Sequence, residues 1–448
     1  MQQPTIFALS SGRGRAGVAV IRISGPQAGA VLDRMAPPRP AARRAAFRRI
    51  VDPATSELLD AALVLFFAGP ASETGEDIAE LQLHGSPAVV RSVLDALARI
   101  PGCRLAEPGE FARRAFLAGK IDLTAAEGLA DLIDAETDAQ RRQALAQAGG
   151  AFARRCEDWR ERLLAARALA EAAIDFSDEA DVASDALTEA RQLAGSLLRD
   201  ISLALADANR GEIVREGFRV VIAGPPNAGK SSLLNVLARR DVAIVSDEAG
   251  TTRDVLEVHL DLGGYAVVVS DTAGLREAAG AVEREGMRRT IERARSADLV
   301  VWLVDAVAPA WSPPADLAAA DRVLLVLNKS DIAHPHAPAD AAAASSILAV
   351  SALTGAGIPA LVEHIAAIVA EQLSGELSVG LPTRARHQAA LTDCTAALDR
   401  LLQAPPALAP ELAAEELRLA ADALGRITGR IDADEMLGEI FGRFCIGK

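Results

Sequence analysis

Gly224-Pro225-Pro226-Asn227-Ala228-Gly229-Lys230-Ser231, entered through the apolar run Phe218 to Ala223, decides how this chain is read. An apolar strand that ends in two closely spaced glycines reads as a phosphate-binding loop. Glycine lets the backbone wrap tightly, and successive N–H groups point inward at the anion. Lys230 brings a point positive charge to the β- and γ-phosphates, and the Ser231 hydroxyl is a Mg2+ ligand. Asn227 to Ser231, with Ser232 beside them, form the first part of a candidate nucleotide site.

Three further segments follow in order. Asp271-Thr272-Ala273-Gly274 comes directly after the strand-like run Tyr265 to Ser270, so Asp271 stands at a strand end where it holds Mg2+ through water and Gly274 meets the γ-phosphate. Asn328-Lys329-Ser330-Asp331 follows the apolar run Val323 to Leu327. The Asp331 carboxylate there accepts both hydrogen bonds from the N1–H and exocyclic amine of guanine. Adenine presents no such donor pair, so the segment argues for GTP over ATP. Ser351-Ala352-Leu353, after Ile347 to Val350, supplies a backbone N–H to guanine O6. Residues near 217 to 375 therefore predict a doubly wound α/β sheet with its ligand at the strand C-termini.

Hydrolysis also needs a positioned water and positive charge at the β-γ bridging oxygen. Small GTPases commonly hold that water with a Gln after the Asp-x-x-Gly turn; here Leu275 stands in that place. The following loop offers Glu277, Glu283 and Glu285, and the sequence by itself does not choose among them. Between the phosphate loop and Asp271 lies Gly250-Thr251-Thr252-Arg253-Asp254, a candidate first switch whose Thr hydroxyl completes a Mg2+ shell. Arg253 is either an internal arginine finger or a surface salt-bridge partner. Asn227 offers an amide oxygen that ligates a monovalent cation where a finger's charge would otherwise sit.

The chain is 448 residues long, which suits two to four domains, and its formal charge of −14 gives no general attraction to a phosphate backbone. An RNA contact must use a local basic patch or a partner protein. Aromatics are 3% of residues, which excludes repeated base-stacking platforms. Cys103, Cys156, Cys394 and Cys445 form neither a metal-spaced cluster nor a disulfide framework, and the N-terminus has no basic region followed by a sustained apolar core. A reducing, cytoplasmic setting with no membrane contact is expected. The uncharged stretch 341–362 is interrupted by Ser345, Ser346, Thr354, Gly355, Gly357 and Pro359 and reads as strand and loop.

Around the nucleotide region, residues 1 to about 118 read as a small α+β domain with strands at Val18 to Ile23 and Ala61 to Phe67 and a helix at Val89 to Ile100. Thr124 to Arg210 are helical by their three- and four-residue apolar repeats. Leu129, Leu132 and Ile133 are expected on one face, as are Leu163, Leu164 and Leu169, so these leucines read as bundle core. From His387 the chain is helical again, most clearly over Glu415 to Ile427, which suggests a nucleotide domain inserted into one helical domain.

The flanks carry further motifs: Gly12-Arg13-Gly14-Arg15-Ala16-Gly17 leading to Arg22-Ile23-Ser24-Gly25, Thr74-Gly75-Glu76-Asp77 with Glu80 and His84-Gly85, and Pro108-Gly109-Glu110-Phe111 with Arg113 to Lys120 and Asp122-Leu123. The chain closes with Phe441-Gly442-Arg443-Phe444-Cys445-Ile446-Gly447-Lys448. With the four nucleotide segments, these resemble the bacterial tRNA modification GTPase MnmE (TrmE) family over essentially the full chain.

That resemblance implies three domains: an α+β folate-binding-like domain over 1–118 that pairs two subunits, a discontinuous all-α domain over 119–210 and 378–448, and an inserted Ras-like G domain over 211–377. It implies a GTPase that acts with a flavoprotein, MnmG (GidA), in a heterotetramer to place an aminomethyl or carboxymethylaminomethyl group at C5 of the wobble uridine of certain tRNAs. FAD sits in the partner, 5,10-methylenetetrahydrofolate or 5-formyltetrahydrofolate is the one-carbon donor, and glycine or ammonium supplies the nitrogen. The family's folate contacts match Arg22, Glu80, Lys120 and Lys448. Its K+ ligands match Asn227, Ser246, Glu248 and Thr251, within a GTP-binding segment Ser246-Asp247-Glu248-Ala249-Gly250-Thr251. Ser246 and Glu248 depart from the commoner residues, although backbone carbonyls serve there whatever the side chain. Mg2+ takes Ser231 and Thr252, and the water-orienting carboxylate falls on Glu283. Cys445 is a further candidate, structural or folate-proximal sooner than a nucleophile. The alternative is a GTP-gated assembly or ribosome-associated factor with no modification chemistry.

Overall fold

A computed structural model of the chain describes residues 3–175, 180–240, 242–244, 257–271, 297–314, 322–338, 347–373, 380–405, 409–431, 433–442 and 444–447. It divides into two compact units, Met1–Ala130 with Ala148–Ala194 and Ala397–Lys448, and Asp131–Gln147 with Gly195–Ala396.

The chain opens with β1 (Thr5–Leu9), β2 (Ala16–Ser24), α1 (Ala28–Met35), β3 (Ala46–Val51), β4 (Leu58–Phe67), β5 (Ile78–Gly85), α2 (Pro87–Ala98), β6 (Cys103–Leu105) and α3 (Glu110–Leu117). The strands form one sheet in the order β3-β4-β5-β2-β1-β6, antiparallel apart from β1 with β6. Alternation along the strands turns Ile21, Ile23, Val64, Leu81 and Ile50 to one side, where they bury against Val31, Leu32 and Met35 of α1 and Val93 and Leu97 of α2. The expected strands are present. Helix α2 begins two residues earlier than its apolar repeat suggests, because Pro87 suits the first helical turn.

Five helices follow: α4 (Leu123–Asp134), α5 (Asp138–Ala148), α6 (Ala151–Asp175), α7 (Ala180–Ala206) and α8 (Ala208–Glu216). The expectation that their leucines are core holds for Leu163, Leu187 and Leu197, which are buried, and is corrected for Leu129, Leu132, Leu164 and Leu169 and for Ile133. In α6 the buried stripe is Phe152, Cys156, Trp159, Leu163, Ala166, Ala170 and Ala173, a strict alternation of four- and three-residue steps. Leu164 lies about a hundred degrees round the helix from Leu163 and is 41% exposed, and Leu169 is only half-buried. In α4 the buried residues run from Leu123 to Gly128, while Leu129 and Leu132 are half-buried and Ile133 is 38% exposed.

The nucleotide region contains β7 (Phe218–Ala223), α9 (Lys230–Ala238), β8 (Glu257–Leu262), β9 (Tyr265–Asp271), β10 (Leu299–Asp305), β11 (Val323–Asn328), β12 (Leu348–Ala349) and α10 (Ile358–Gln372). Its sheet runs β12-β11-β10-β7-β9-β8, with the β8–β9 hairpin antiparallel and all other pairs parallel. Every residue of β10 is buried, as a parallel strand covered on both faces requires. The uncharged stretch near 350 resolves into β12, a turn and the start of α10. The chain closes with α11 (Ala385–Gln403), α12 (Pro410–Thr428) and α13 (Ala433–Gly442). Helix α12 packs along α6 and buries Ala413, Leu417, Ala420, Ala423, Leu424 and Ile427. Among the described residues no helix is long and apolar enough to cross a membrane.

Candidate functional site

The strand ends of the parallel sheet converge on one loop. Between β7 and α9 the backbone takes positive φ at Asn227 (64°) and Gly229 (93°). A Cβ on Gly229 would lie 2.3 Å from Asn328 Nδ2, and one on Gly224 2.6 Å from the Leu303 carbonyl oxygen, so the loop closes only with glycine at both ends. Lys230, at the first position of α9, folds its ammonium back to donate to the Gly224 and Pro225 carbonyls, both at 3.0 Å. Burial lowers the Lys230 pKa, against the opposing charge of Asp271. Ser231 Oγ donates to Asp271 Oδ2 at 2.6 Å, so two oxygen ligands of the type Mg2+ takes stand together.

Asn328 ties the second half of the site to the first. Its buried side chain donates from Nδ2 to the Ala228 carbonyl of the phosphate loop at 2.7 Å and accepts the Ala352 N–H at Oδ1, 3.0 Å away. One amide thus connects the phosphate loop, the end of β11 and the Ser351 segment. A purine oxygen near that segment must share the Ala352 N–H with Asn328. Ser351 is fully buried, and its Oγ accepts the Thr354 N–H at 3.1 Å. Asp331 is exposed beside this network, and Leu353 is 86% exposed.

Asp305 was not singled out in the sequence. It ends β10 in register with Asn328 and binds Lys329 Nζ at 2.6 Å. Burial raises the Asp305 pKa, but Lys329 and the Val307 N–H outweigh it and hold the carboxylate below its usual range. The signal was an acid closing an apolar run, the same pattern that marks Asp271. Asn227 sits exposed on the rim of the phosphate loop. Ser246, Asp247, Glu248, Ala249, Gly250, Thr251, Thr252, Arg253, Thr272, Ala273, Gly274, Leu275, Glu277, Glu283, Glu285 and Lys448 lie outside the described residues.

Two family models match the chain. "GTP-binding protein TrmE N-terminus" covers residues 5–120, and "MnmE helical domain" covers residues 123–445. The tRNA modification GTPase MnmE of Methylorubrum populi is 55% identical over 100% of this chain and 99% of its own length. That of Beijerinckia indica is 53% identical over 99% of this chain and 96% of its own. The chain belongs to the MnmE family of tRNA modification GTPases. It is therefore a GTP-hydrolysing enzyme with a role in tRNA modification.

The MnmE-type N-terminal region holds a second constellation. Arg22 on β2 binds Glu80, its register partner on β5, at 3.1 Å, and Glu73 of the loop before β5 at 2.9 Å. The two residues matched to folate contacts are thus paired with each other, and a ligand reaching Glu80 must share it with Arg22. Lys120 is exposed, with its Cε 3.7 Å from where a Cβ on Gly75 would stand, so it lies beside the same Glu73–Glu76 turn. The turn also gathers residues that the motifs contained but to which no role was given. Glu76 Oε2 accepts Ser24 Oγ and Arg114 Nη1, both at 2.9 Å, and Ser24 Oγ lies 2.8 Å from Thr74 Oγ1.

Arg114 continues to Glu110 at 2.9 Å, and Arg104 grips the same carboxylate with two bonds of 2.6 and 2.7 Å. Burial pushes the Glu110 pKa up, but Arg104, the Glu107 N–H and Arg114 together hold it below the usual carboxylate range. Gln3, Pro4, Arg113 and Leu117 join these residues around an open pocket of about 250 Å3.

The end of the chain returns to this unit. Ile446 forms a β-bridge with Pro108, and the Gly447 carbonyl accepts Ser10 Oγ at 2.9 Å. Gly447 has φ 104°, and a Cβ there would lie 2.3 Å from the Leu9 carbonyl oxygen, so the tail docks only with glycine at that step. Cys445 is exposed next to this bridge, while Cys156 and Cys394 are buried. Burial pushes the Cys394 thiol up to about 12, which makes it inert. Among the described residues no three His, Cys, Asp or Glu side chains are grouped to hold a metal ion.

Proposed function

We propose that this chain hydrolyses GTP in a cycle that, together with a FAD-carrying flavoprotein of the MnmG type, adds an aminomethyl or carboxymethylaminomethyl group to C5 of the wobble uridine of certain tRNAs in the cytoplasm. What supports the reading is that residues 5–120 and 123–445 match the family's own N-terminal and helical models, flanks that a stand-alone GTPase has no reason to carry. We assign 1–118 to a folate-binding, dimer-forming domain, 119–210 and 378–448 to one split helical domain, and 211–377 to the G domain.

In the G domain, the loop amides and Lys230 hold the phosphates, and Asp331 reads the guanine edge. Ser231 and Thr252 would hold Mg2+ with Asp271 beside them, and the ion would supply electrostatic stabilisation of the phosphate charge. Asn227, Ser246, Glu248 and Thr251 would hold K+, which would supply the positive charge that an arginine finger supplies elsewhere, in an arrangement where two G domains meet across their nucleotides. Glu283 orients the attacking water, because Leu275 has no hydrogen-bonding group with which to do so. Hydrolysis drives a conformational cycle and does not feed energy into the carbon chemistry directly.

In the N-terminal domain Arg22, Glu80, Lys120 and Lys448 would hold a reduced folate, which would supply the one-carbon unit. Glu80 suits the aminopyrimidine edge, and the cations suit the glutamate tail. The Arg22–Glu80 pair keeps both groups in place at the strand centre. Cys445 stands close to the docked tail as a structural or folate-proximal residue.

The test is mass analysis of the wobble nucleoside in tRNA incubated with this protein, GTP, a reduced folate and glycine or ammonium, with and without the flavoprotein. The C5-modified nucleoside is expected only when both proteins are present. An unmodified uridine under all conditions overturns the reading. Equal hydrolysis rates in K+ and Na+ buffers would remove Asn227 from its assigned role.

A further inference from the structure

An acidic enzyme that acts on tRNA needs a local surface for a polyanion, and one strand of the N-terminal sheet has that character. Residues 1–118 carry fourteen arginines against eleven Asp and Glu, a formal +3 within a chain of −14. Residues 34–51 hold six of those arginines and no acid. Four fall on the turn before β3 and on β3 itself, at positions 43, 44, 48 and 49, and β3 is an edge strand paired only to β4.

Their charges are not cancelled by neighbouring carboxylates. Arg43 donates to the Ala71 carbonyl and lies over the Phe67 ring, and Arg48 donates to the Pro38 carbonyl at 2.7 Å; both partners are neutral. Arg44 and Arg49 are exposed and make no ion pair among the described residues. Of the acids nearest along the chain, Asp33 pairs with Arg39 and Asp52 binds Arg99 at 2.6 Å, while Glu57 is exposed eight residues beyond Arg49 and Asp60 binds the His84 ring at 2.8 Å. Between the arginine pairs stands Phe47, 67% exposed. Charges on an edge strand also guard against edge-to-edge aggregation, but that task is served by one or two, and an exposed phenylalanine works against it.

We infer that the segment 43–49 is a docking surface for the tRNA substrate, with Arg44 and Arg49 on its phosphates and Phe47, on the same strand face as Arg49, as a stacking platform for an unpaired base. Guanidinium groups suit phosphate through planar paired bonds, and base stacking on an aromatic ring does not depend on sequence. This rests on the family's role in tRNA modification.

The experiment is binding of an unmodified tRNA transcript to the full-length protein, by fluorescence anisotropy over a range of salt, for wild type, Arg44→Ala/Arg49→Ala and Phe47→Ala. The double variant is expected to bind roughly 10-fold more weakly, with a log K against log salt slope shallower by about 0.7–0.9 for each arginine. Phe47→Ala is expected to lose about 5-fold or more. Unchanged GTP hydrolysis in each variant shows that the chain still folds. Equal affinity and slope for wild type and variants overturn the inference while leaving the tRNA role intact; no binding by wild type at any salt overturns both. Phe47 pairs across the strands with Leu63, which is 44% exposed. Loss of the dimer in Phe47→Ala by sedimentation velocity, with tRNA affinity retained, would assign the face to a second copy of the chain and also overturn the inference.

Discussion

The two sheets of this molecule place function by opposite means. In the parallel sheet, each functional group follows directly from a strand end: Gly224 after β7, Asp271 closing β9, Asn328 closing β11 and Ser351 shortly after β12. In the N-terminal sheet the candidate side chains stand mid-strand or in a turn, and they meet only because distant segments pair, as Arg22 meets Glu80 and Arg114 meets Glu76. A site made at strand ends is written locally in the chain. A site made across strands depends on register.

That difference predicts how each region responds to substitution. The largest effect is expected in the nucleotide half. Glu283→Ala should lower GTP turnover by about 10²-fold with little change in GTP affinity, the usual scale for a positioning carboxylate. Normal turnover in that variant would return the task to Glu277 or Glu285. Asp331→Asn should shift preference toward xanthosine nucleotides by roughly 10-fold or more, since one charge-assisted hydrogen bond pair is exchanged for its complement. Competition of GTP and XTP for the protein reads it, and an unchanged preference would sharpen attention on Ala352 as the base reader.

In the N-terminal half a single change should act on stability. Glu110 has its pKa held down in the folded chain, so its ionised form adds stability that is present above the unfolded carboxylate pKa and lost as pH falls through the lowered folded value. Glu110→Gln should unfold a few degrees lower at neutral pH and show a flatter melting curve across that acid window. Thermal denaturation at neutral and acid pH measures this. An identical pH dependence in the two proteins would mean that Arg104 and Arg114 do not stabilise the carboxylate.

The same contrast explains what was legible in the sequence. The phosphate loop, Asp271 and the Asn328 segment were readable because glycine, lysine and acid at fixed spacing after an apolar run already constitute the chemistry. Asp305 ends β10 by the same rule, yet no spacing marks it as the partner of Lys329. In the N-terminal region, the roles of Ser24, Glu76 and Arg114 depend on a turn meeting β2 and α3, which no local pattern encodes. The apolar repeats mark the helices as helices, but leucine positions alone do not locate the buried faces: Leu163 is on the α6 stripe and Leu164 is off it. In α6 the stripe is completed by Ala166, Ala170 and Ala173, in a helix packed against α12.

The central claim is that these two differently built regions serve one reaction. Wobble-nucleoside mass analysis with the flavoprotein present, comparing wild type, Lys230→Ala and Glu80→Ala, tests it most directly. Both variants are expected to leave the uridine unmodified, Lys230→Ala having also lost GTP hydrolysis and Glu80→Ala having kept it. Full modification by either variant, with its own site shown to be disabled, would contradict the account.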